Sequence, residues 1–206
     1  MGDKNLNKLL AWSLENQDGY EGPKNQGQLD PELLKSLFGG PSEADLMKAA
    51  MENITSTDPE VTLESKLTAF DNFEQLIESI DNANNIANLS LWTPLLECLA
   101  HEEAEIRRMA AWCVGTAVQN NAQSQEKLLA MGGIPTLVNM AVDGAEDKAV
   151  RKKAIYALSS ASRNYQPAMD VCVEELGKKG HVHGKVTADD MDSVDTVMNP
   201  LKEAAK

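Results

Sequence analysis

Apolar residues recur along most of this chain at intervals of three and four, the spacing that places them on one face of an α-helix. The first stripe is Leu6, Leu9, Leu10 and Leu14, behind Asp3 as a helix cap. A polar, glycine-bearing stretch from Asn16 to Gly27 follows and reads as a linker. Residues 1–28 are therefore expected to form a mobile segment carrying one short amphipathic helix. Asp30 and Pro31 then open a helix that buries Leu33, Leu34, Leu37 and Phe38 and stops at Gly39-Gly40-Pro41. Ser42 and Asp45 resemble a capping box ahead of Leu46, Ala50, Met51 and Ile54, and Asp58-Pro59 signals a further start. Residues 29–60 thus read as capping helices. From Thr62, the residues Leu63, Leu67, Phe70, Phe73, Leu76, Ile77 and Ile80 trace a wide apolar face, and nothing from there to Pro167 reads as a strand.

The same pattern then repeats. LWTPLLECLA from Leu91, a charged turn and EIRRMAAWCVGTAVQNN are followed by GIPTLVNMA from Gly133, a charged turn and AVRKKAIYALSSASRNY. Pro94 and Pro135 lie 41 residues apart, whereas Trp112 and Tyr156 lie 44 apart. The difference is an insertion of three in the acidic turn around Gly144 to Asp147. A period of roughly 40–47 residues marks stacked helical repeats. Two short helices and one long one per unit favour the armadillo form. The predicted fold is all-α: an armadillo-like α-solenoid of three-helix repeats over 61–176, with a mobile helical N-terminal segment. One unit cannot bury its apolar face alone, so the 62–80 helix and the 165–176 segment must act as neighbours or caps. In residues 177–206, GKKGHVHGK is loop-like, and Ala188 to Ala205 reads as an acidic capping helix interrupted at Asn199-Pro200.

Composition agrees with packed helices. Hydrophobic residues make up 42% of the 206, but aromatic ones only 4%, with Ala, Leu and Met carrying the apolar content. The net charge of −13 disfavours nucleic acid and anionic membrane surfaces, which are gripped through Lys and Arg. A partner with a basic face would suit it better, although the charge also serves plain solubility. No apolar run suits a signal peptide or a membrane span, so a cytoplasmic setting is the expectation. Cys98, Cys113 and Cys172 lack paired spacing and sit in apolar helical patterns, where a thiol serves as a small hydrophobe.

Candidates for catalysis fall away one by one. His181 and His183 form H-x-H, but His101, the remaining histidine, lies in another segment, and zinc wants three or four ligands. The glycine pairs at 39–40 and 132–133 do not precede G-K-[S/T]. Glu102, Glu103 and Glu105 stand at a helix start, where the helix dipole favours acidic groups. No catalytic residue, metal or cofactor is expected.

What the repeats offer instead is a surface. The core stripe is Ile106, Ala110, Cys113 and Ala117 in one long helix, and Val150, Ala154, Ala157 and Ala161 in the other. That leaves Arg108, Trp112, Thr116 and Asn120 in register with Lys152, Tyr156, Ser160 and Asn164: basic, aromatic, hydroxyl, amide. Large aromatics beside polar groups on a solenoid's long helices have the make-up of a protein-binding hot spot. The aromatics would equally serve to pack one repeat on the next.

AFDNFEQLIESIDNANNI (Ala69 to Ile86), LWTPLL and GTAVQNN (Gly115 to Asn121) resemble the armadillo-type nucleotide exchange factors of the 70-kDa heat-shock chaperone. KLLAWSL (Lys8 to Leu14) and LFGGPSEADLMKAAM (Leu37 to Met51) are similar to that family's fungal branch. The resemblance covers Asn5 to Pro167. It implies a monomeric cytosolic co-chaperone that embraces the chaperone's ATPase domain and loosens ADP, in support of protein folding, misfolded-protein turnover and translation. It also implies that the N-terminal segment, with Leu9, Leu10, Trp12 and Leu14, helps release bound substrate. Partner contacts would fall on Ala83, Asn84 and Asn85 of a DNANN turn and on the long-helix stripe. Longer members of the family carry a further repeat with basic contacts, where this chain has a short acidic tail. A second reading is an armadillo adaptor for an extended peptide. Such adaptors use a W-x-x-x-N ladder, and here Trp112 pairs with Thr116 and Tyr156 with Ser160.

Overall fold

The computed structural model describes residues 39–181 and 184–206. Contacts divide the chain at Ser42–Glu43 into two units, inside the stretch expected as capping helices, and all that follows concerns the second. The expected helices at Leu6–Leu14 and Leu33–Phe38, the release residues Leu9, Leu10, Trp12 and Leu14, and His183 lie outside the described residues.

Ten α-helices and one 3-10 turn make up the second unit, with no strand among the described residues. They are α1 (Glu43–Thr55), α2 (Leu63–Ile77), α3 (Ile80–Asn88), α4 (Trp92–Glu97), α5 (Ala104–Val118), α6 (Ala122–Ala130), α7 (Gly133–Val142), α8 (Lys148–Ser162), α9 (Gln166–Lys178) and α10 (Met191–Ala204). The 3-10 turn, Cys98–Ala100, continues α4. α3, α4 and α5 form one repeat, and α6, α7 and α8 the next. The long helices α2, α5 and α8 pack side by side, with α10 beside α8. Their common length of 15 residues follows from the repeat.

Repetition is visible in the backbone itself. Asn120 and Asn164 follow the ends of α5 and α8 with φ of 53° and 57°, the left-handed conformation that stops a helix and that Asn tolerates better than most residues. Asn120 and Asn164 therefore sit on the turns after the long helices and are not the fourth rungs of a helical stripe. Their work is to end each helix. Gly132 does the equivalent ahead of α7 with φ of 72°. Pro94 and Pro135 each occupy the third position of a short helix, where the missing N–H would have had no intrahelical partner.

The predicted core is the observed one. Ile106, Ala110, Cys113 and Ala117 of α5, and Val150, Ala154, Ala157 and Ala161 of α8, are buried. Phe70, Phe73 and Ile77 fill the core from α2, each contributing about 1.5–3 kcal/mol relative to exposure. The stripe ends there, however. Ile80 stands exposed, because α2 stops at Ile77 and the chain turns before α3, and Leu63 is exposed at the first position of α2. Asp58-Pro59 does not open α2 either. Asp58 accepts from the Glu60 N–H in a local turn, and Thr62 caps α2 by accepting from Ser65 N at 3.2 Å.

Buried polar side chains tie one layer to the next. Asn82 donates to Glu43 and to the Leu76 carbonyl, and Gln125 donates to the Ser160 and Arg163 carbonyls at the end of α8. These satisfy helix-end carbonyls that would otherwise be stranded. The tail is also docked. Val194, Val197, Met198 and Leu201 of α10 are buried, and Arg163 holds Asp195 at 2.8 Å. Contrary to the sequence reading, α10 runs through Asn199-Pro200 without interruption, since its packed face holds the helix despite the lost hydrogen bond.

Candidate functional site

The long-helix stripe is real as a surface. Beyond its first turn α5 is buried except for Arg107 and a half-buried strip at Arg108, Trp112 and Thr116. α8 adds exposed Lys152 and half-buried Lys153, Tyr156, Ser159 and Ser160. The two strips are brought together where Lys153 extends its ammonium over the Trp112 ring, 3.9 Å from the ring centroid and 5.6 Å from that of Tyr156. A cation over an aromatic face is attracted by the ring's quadrupole. Burial pushes the Lys153 ammonium below its ordinary pKa, Arg108 adds repulsion, and Glu74 partly offsets both.

Tyr156 lies flat on the Gly115 position. A Cβ there would overlap the tyrosine ring and come within 3.2 Å of the Ala157 Cα. Its hydroxyl donates to Gln119 at 3.1 Å. Thr116 is a strut between layers, its hydroxyl donating to the buried Glu74 carboxylate at 2.7 Å. Of the two expectations for the aromatics, the packing one is met. Trp112 and Tyr156 pack between repeats and keep an edge toward solvent.

Three side chains of this cluster escaped sequence reasoning. Lys153, not its neighbour Lys152, meets the aromatics, while Glu74 and Gln119 complete the cluster from α2 and the end of α5. The signal for Lys153 was present in the register. It lies three residues before Tyr156, hence on the same helical face. The acidic net charge also misdescribes this face. Arg108 is paired with Glu105 at 2.7 Å, but Lys152 and Lys153 give the strip a local positive character.

The DNANN segment is not a turn. It lies within helix α3, where Asn82, Ala83 and Ile86 face inward. Ala83 is 2% exposed, so it belongs to the core and cannot serve as a contact presented to a partner. Asn84 and Asn85 are half-exposed, and Asn88 donates to Asn85 at 3.3 Å. Asn84 opens onto a separate groove of about 270 Å³ between α3 and α6, lined by Ala87, Trp92, Ser124 and Lys127 among others. Its Oδ1 is buried without a hydrogen-bond partner. The structure therefore does not gather the α3 asparagines and the long-helix strip into one site.

Other chemistry is quiet. Burial pushes the Cys98 thiol up to about 11 and Cys172 to about 12, and raises Cys113 well above its usual value, so all three remain protonated. Among the described residues no group of His, Cys, Asp and Glu is arranged to hold a metal, and no helix is long and apolar enough to cross a membrane.

Comparison with known proteins then supplies the family. The family model described as nucleotide exchange factor Fes1 matches residues 6–86, and that of the SIL1/FES1/HPBP1 C-terminal domain matches residues 82–179. The chain belongs to the Fes1 family of nucleotide exchange factors. An Hsp70 nucleotide exchange factor FES1 of Gibberella zeae is 61% identical over 208 residues, covering 98% of both chains. The fes-1 protein of Neurospora crassa is 52% identical, covering 99% of each. A FES1 relative from Kluyveromyces lactis is 50% identical over 77% of this chain but only 55% of its own length. Among solved structures, an engineered protein superposes with a TM-score of 0.54 at 21% identity, covering 84% of this chain and 66% of that one. That match supports the helical repeat fold. The family is one of nucleotide exchange factors and not of catalytic enzymes.

Proposed function

We propose that this protein is a nucleotide exchange factor for the 70-kDa heat-shock chaperone, binding its ATPase domain and accelerating ADP release. What carries the reading is end-to-end similarity to proteins named Hsp70 nucleotide exchange factor, 61% identical across 98% of each chain in one case. The strip of Arg108, Trp112, Thr116, Lys152, Lys153, Tyr156 and Ser160 is the contact surface. It lies on the packed long helices, so its aromatic edges are held before a partner arrives. Asn84 and Asn85 are a secondary contact on α3.

The mechanism is linkage. A rigid ladder that fits the open form of the ATPase domain better than the closed form must weaken ADP by the same factor. A tenfold to hundredfold effect needs about 1.4–2.8 kcal/mol of coupling. The protein acts as a monomer in the cytoplasm, without nucleic acid or membrane partners, supporting folding, misfolded-protein turnover and translation. Residues 1–28, with Leu9, Leu10, Trp12 and Leu14, serve in substrate release. Nothing in the structure favours the peptide-adaptor reading, since the Thr116 hydroxyl is engaged by Glu74. Release of fluorescent ADP from the chaperone's ATPase domain, timed with and without this protein, is the test. An unchanged rate at saturating protein rejects the proposal.

A further inference from the structure

Positions on the long helices recur 44 residues apart, so Ser159 of α8 stands where Gly115 stands on α5. At the α5–α8 junction the place beside Gly115 is filled by the Tyr156 ring. At the α8–α10 junction no aromatic plays that part. α10 brings Lys202 and Lys206 to Ser159, and a notch of about 440 Å³ is left open over Ile155 and Tyr156. The notch is thus an inter-repeat packing site whose filler is missing.

Its rim is basic, in a chain whose net charge is −13. Lys152, Lys202 and Lys206 all line it. Lys206 is already bound by Glu203, and Lys148 donates to the Lys206 main-chain oxygen at 2.8 Å. Lys152 and Lys202 have no carboxylate or hydrogen-bond partner among the described residues. Two uncommitted ammonium groups repel each other, and the half-buried Tyr156 ring beside the buried Ile155 stays partly open to solvent. A ligand that carries carboxylates around an apolar side chain relieves both.

We propose that the α8–α10 notch docks a short acidic protein segment, whose apolar side chain enters over Ile155 and Tyr156 while flanking carboxylates meet Lys152 and Lys202. A lone inorganic anion would satisfy the lysines and leave the floor bare, and a nucleic acid would meet a chain whose net charge is −13. The notch shares Lys152 and Tyr156 with the proposed chaperone contact, but the proposal rests on the repeat geometry and is tested by peptide binding alone, apart from nucleotide exchange.

The test uses the full chain, ¹⁵N-labelled and titrated with a terminally blocked peptide of ten residues in which a central Leu-Phe pair is flanked by Asp and Glu. The expected result is saturable amide shifts clustered on residues 152–159 and 198–206. Lys152→Glu and Lys202→Glu should each weaken binding about tenfold, with binding also falling as salt rises. Both lysines are exposed, so the variants should melt with the parent; where one does not, Lys152→Gln and Lys202→Gln give the same reading. The idea is overturned if the peptide causes no shifts at millimolar concentration, if the shifts fall elsewhere, or if charge reversal leaves affinity unchanged. It is equally overturned if inorganic phosphate or a single-stranded oligonucleotide shifts these amides and the peptide does not.

Discussion

Glu146 grips Arg107 through both carboxylate oxygens, each 2.7 Å from a guanidinium nitrogen. The pair joins one repeat to the next. Glu146 stands in the turn that the second copy lengthens by insertion, and Arg107 stands at the start of the first copy's long helix. Arg107 also donates at 2.7 Å to the carbonyls of His101 and Glu102, pinning the turn ahead of α5. With side chains only 20% and 10% exposed, the pair is shielded from solvent screening. The inserted residues serve as a clasp.

That clasp makes a pH-dependent prediction. The hydrogen bond from Arg107 is the main reason the Glu146 carboxyl is held below its ordinary pKa of 4.5. A carboxyl depressed in the folded state stabilises the fold above its unfolded pKa, and the benefit is lost as pH falls through the folded value. Glu146→Gln should therefore cost about 1.5–3 kcal/mol at neutral pH, the range for a hydrogen-bonded charged group. The gap between variant and parent should shrink below about pH 4.5. Urea denaturation of both proteins at pH 7 and pH 3.5 measures it, and an equal gap at the two pH values contradicts the assignment.

Gly115 is small because Tyr156 lies on it. Gly115→Ala gains helix propensity worth about 1 kcal/mol, yet its Cβ would overlap the tyrosine ring and crowd the Ala157 backbone. Overpacking of this kind costs about 1–3 kcal/mol, so the net result should be destabilisation together with a displaced Tyr156. Thermal melting reads the first effect. A Gly115→Ala/Tyr156→Ala double variant less destabilised than the sum of its parts would locate the clash at this contact.

Much of this was legible beforehand, and each failure has its own physical cause. The core of α5 and α8 followed from helical spacing, because a residue's direction on a long regular helix is fixed by its number. Trp112 and Tyr156 were found the same way. Ala83 was misplaced because family resemblance names positions without saying which way a short helix faces. Asn120 and Asn164 continued the stripe numerically, but each helix ends two residues earlier, and a left-handed residue does not extend a helical face. Lys153 and Glu74 went unseen because their contact joins separate repeats, and spacing along one helix does not report which neighbour lies across it. The α8–α10 notch needed the position of α10, which the sequence reading broke at Pro200.

Placing Ala83 in the core changes what its substitution means. Ala83→Arg forces a long cation into a site 2% exposed, where both overpacking and an unpaired charge are penalised. The variant should melt well below the parent, with a loss of about 3 kcal/mol or more, and lose chaperone binding because it loses structure. Asn85→Ala, on the same helix but half-exposed, should melt within about 0.5 kcal/mol of the parent. Circular dichroism melts compare the two. If Ala83→Arg melts like the parent, the burial of α3 described here is wrong.

The contact between Lys153 and Trp112 separates a structural role from a recognition role on one surface. With the ammonium 3.9 Å from the ring centroid, the pair should contribute about 0.5–2 kcal/mol to folding, read as the coupling energy in a Lys153→Ala and Trp112→Ala double-mutant cycle. Exchange should respond differently. On the proposed contact Trp112→Ala removes an aromatic edge that the chaperone would bury, so ADP release from the chaperone should slow about tenfold or more at limiting protein. Lys153→Met keeps much of the aliphatic cover over the ring while deleting the charge. If the strip binds chiefly through aromatic area, that variant should keep most of its activity and lose the salt dependence that Lys153 contributes. Stopped-flow ADP release at two ionic strengths decides between them. Full activity in Trp112→Ala would show that the aromatic strip serves only to pack one repeat on the next.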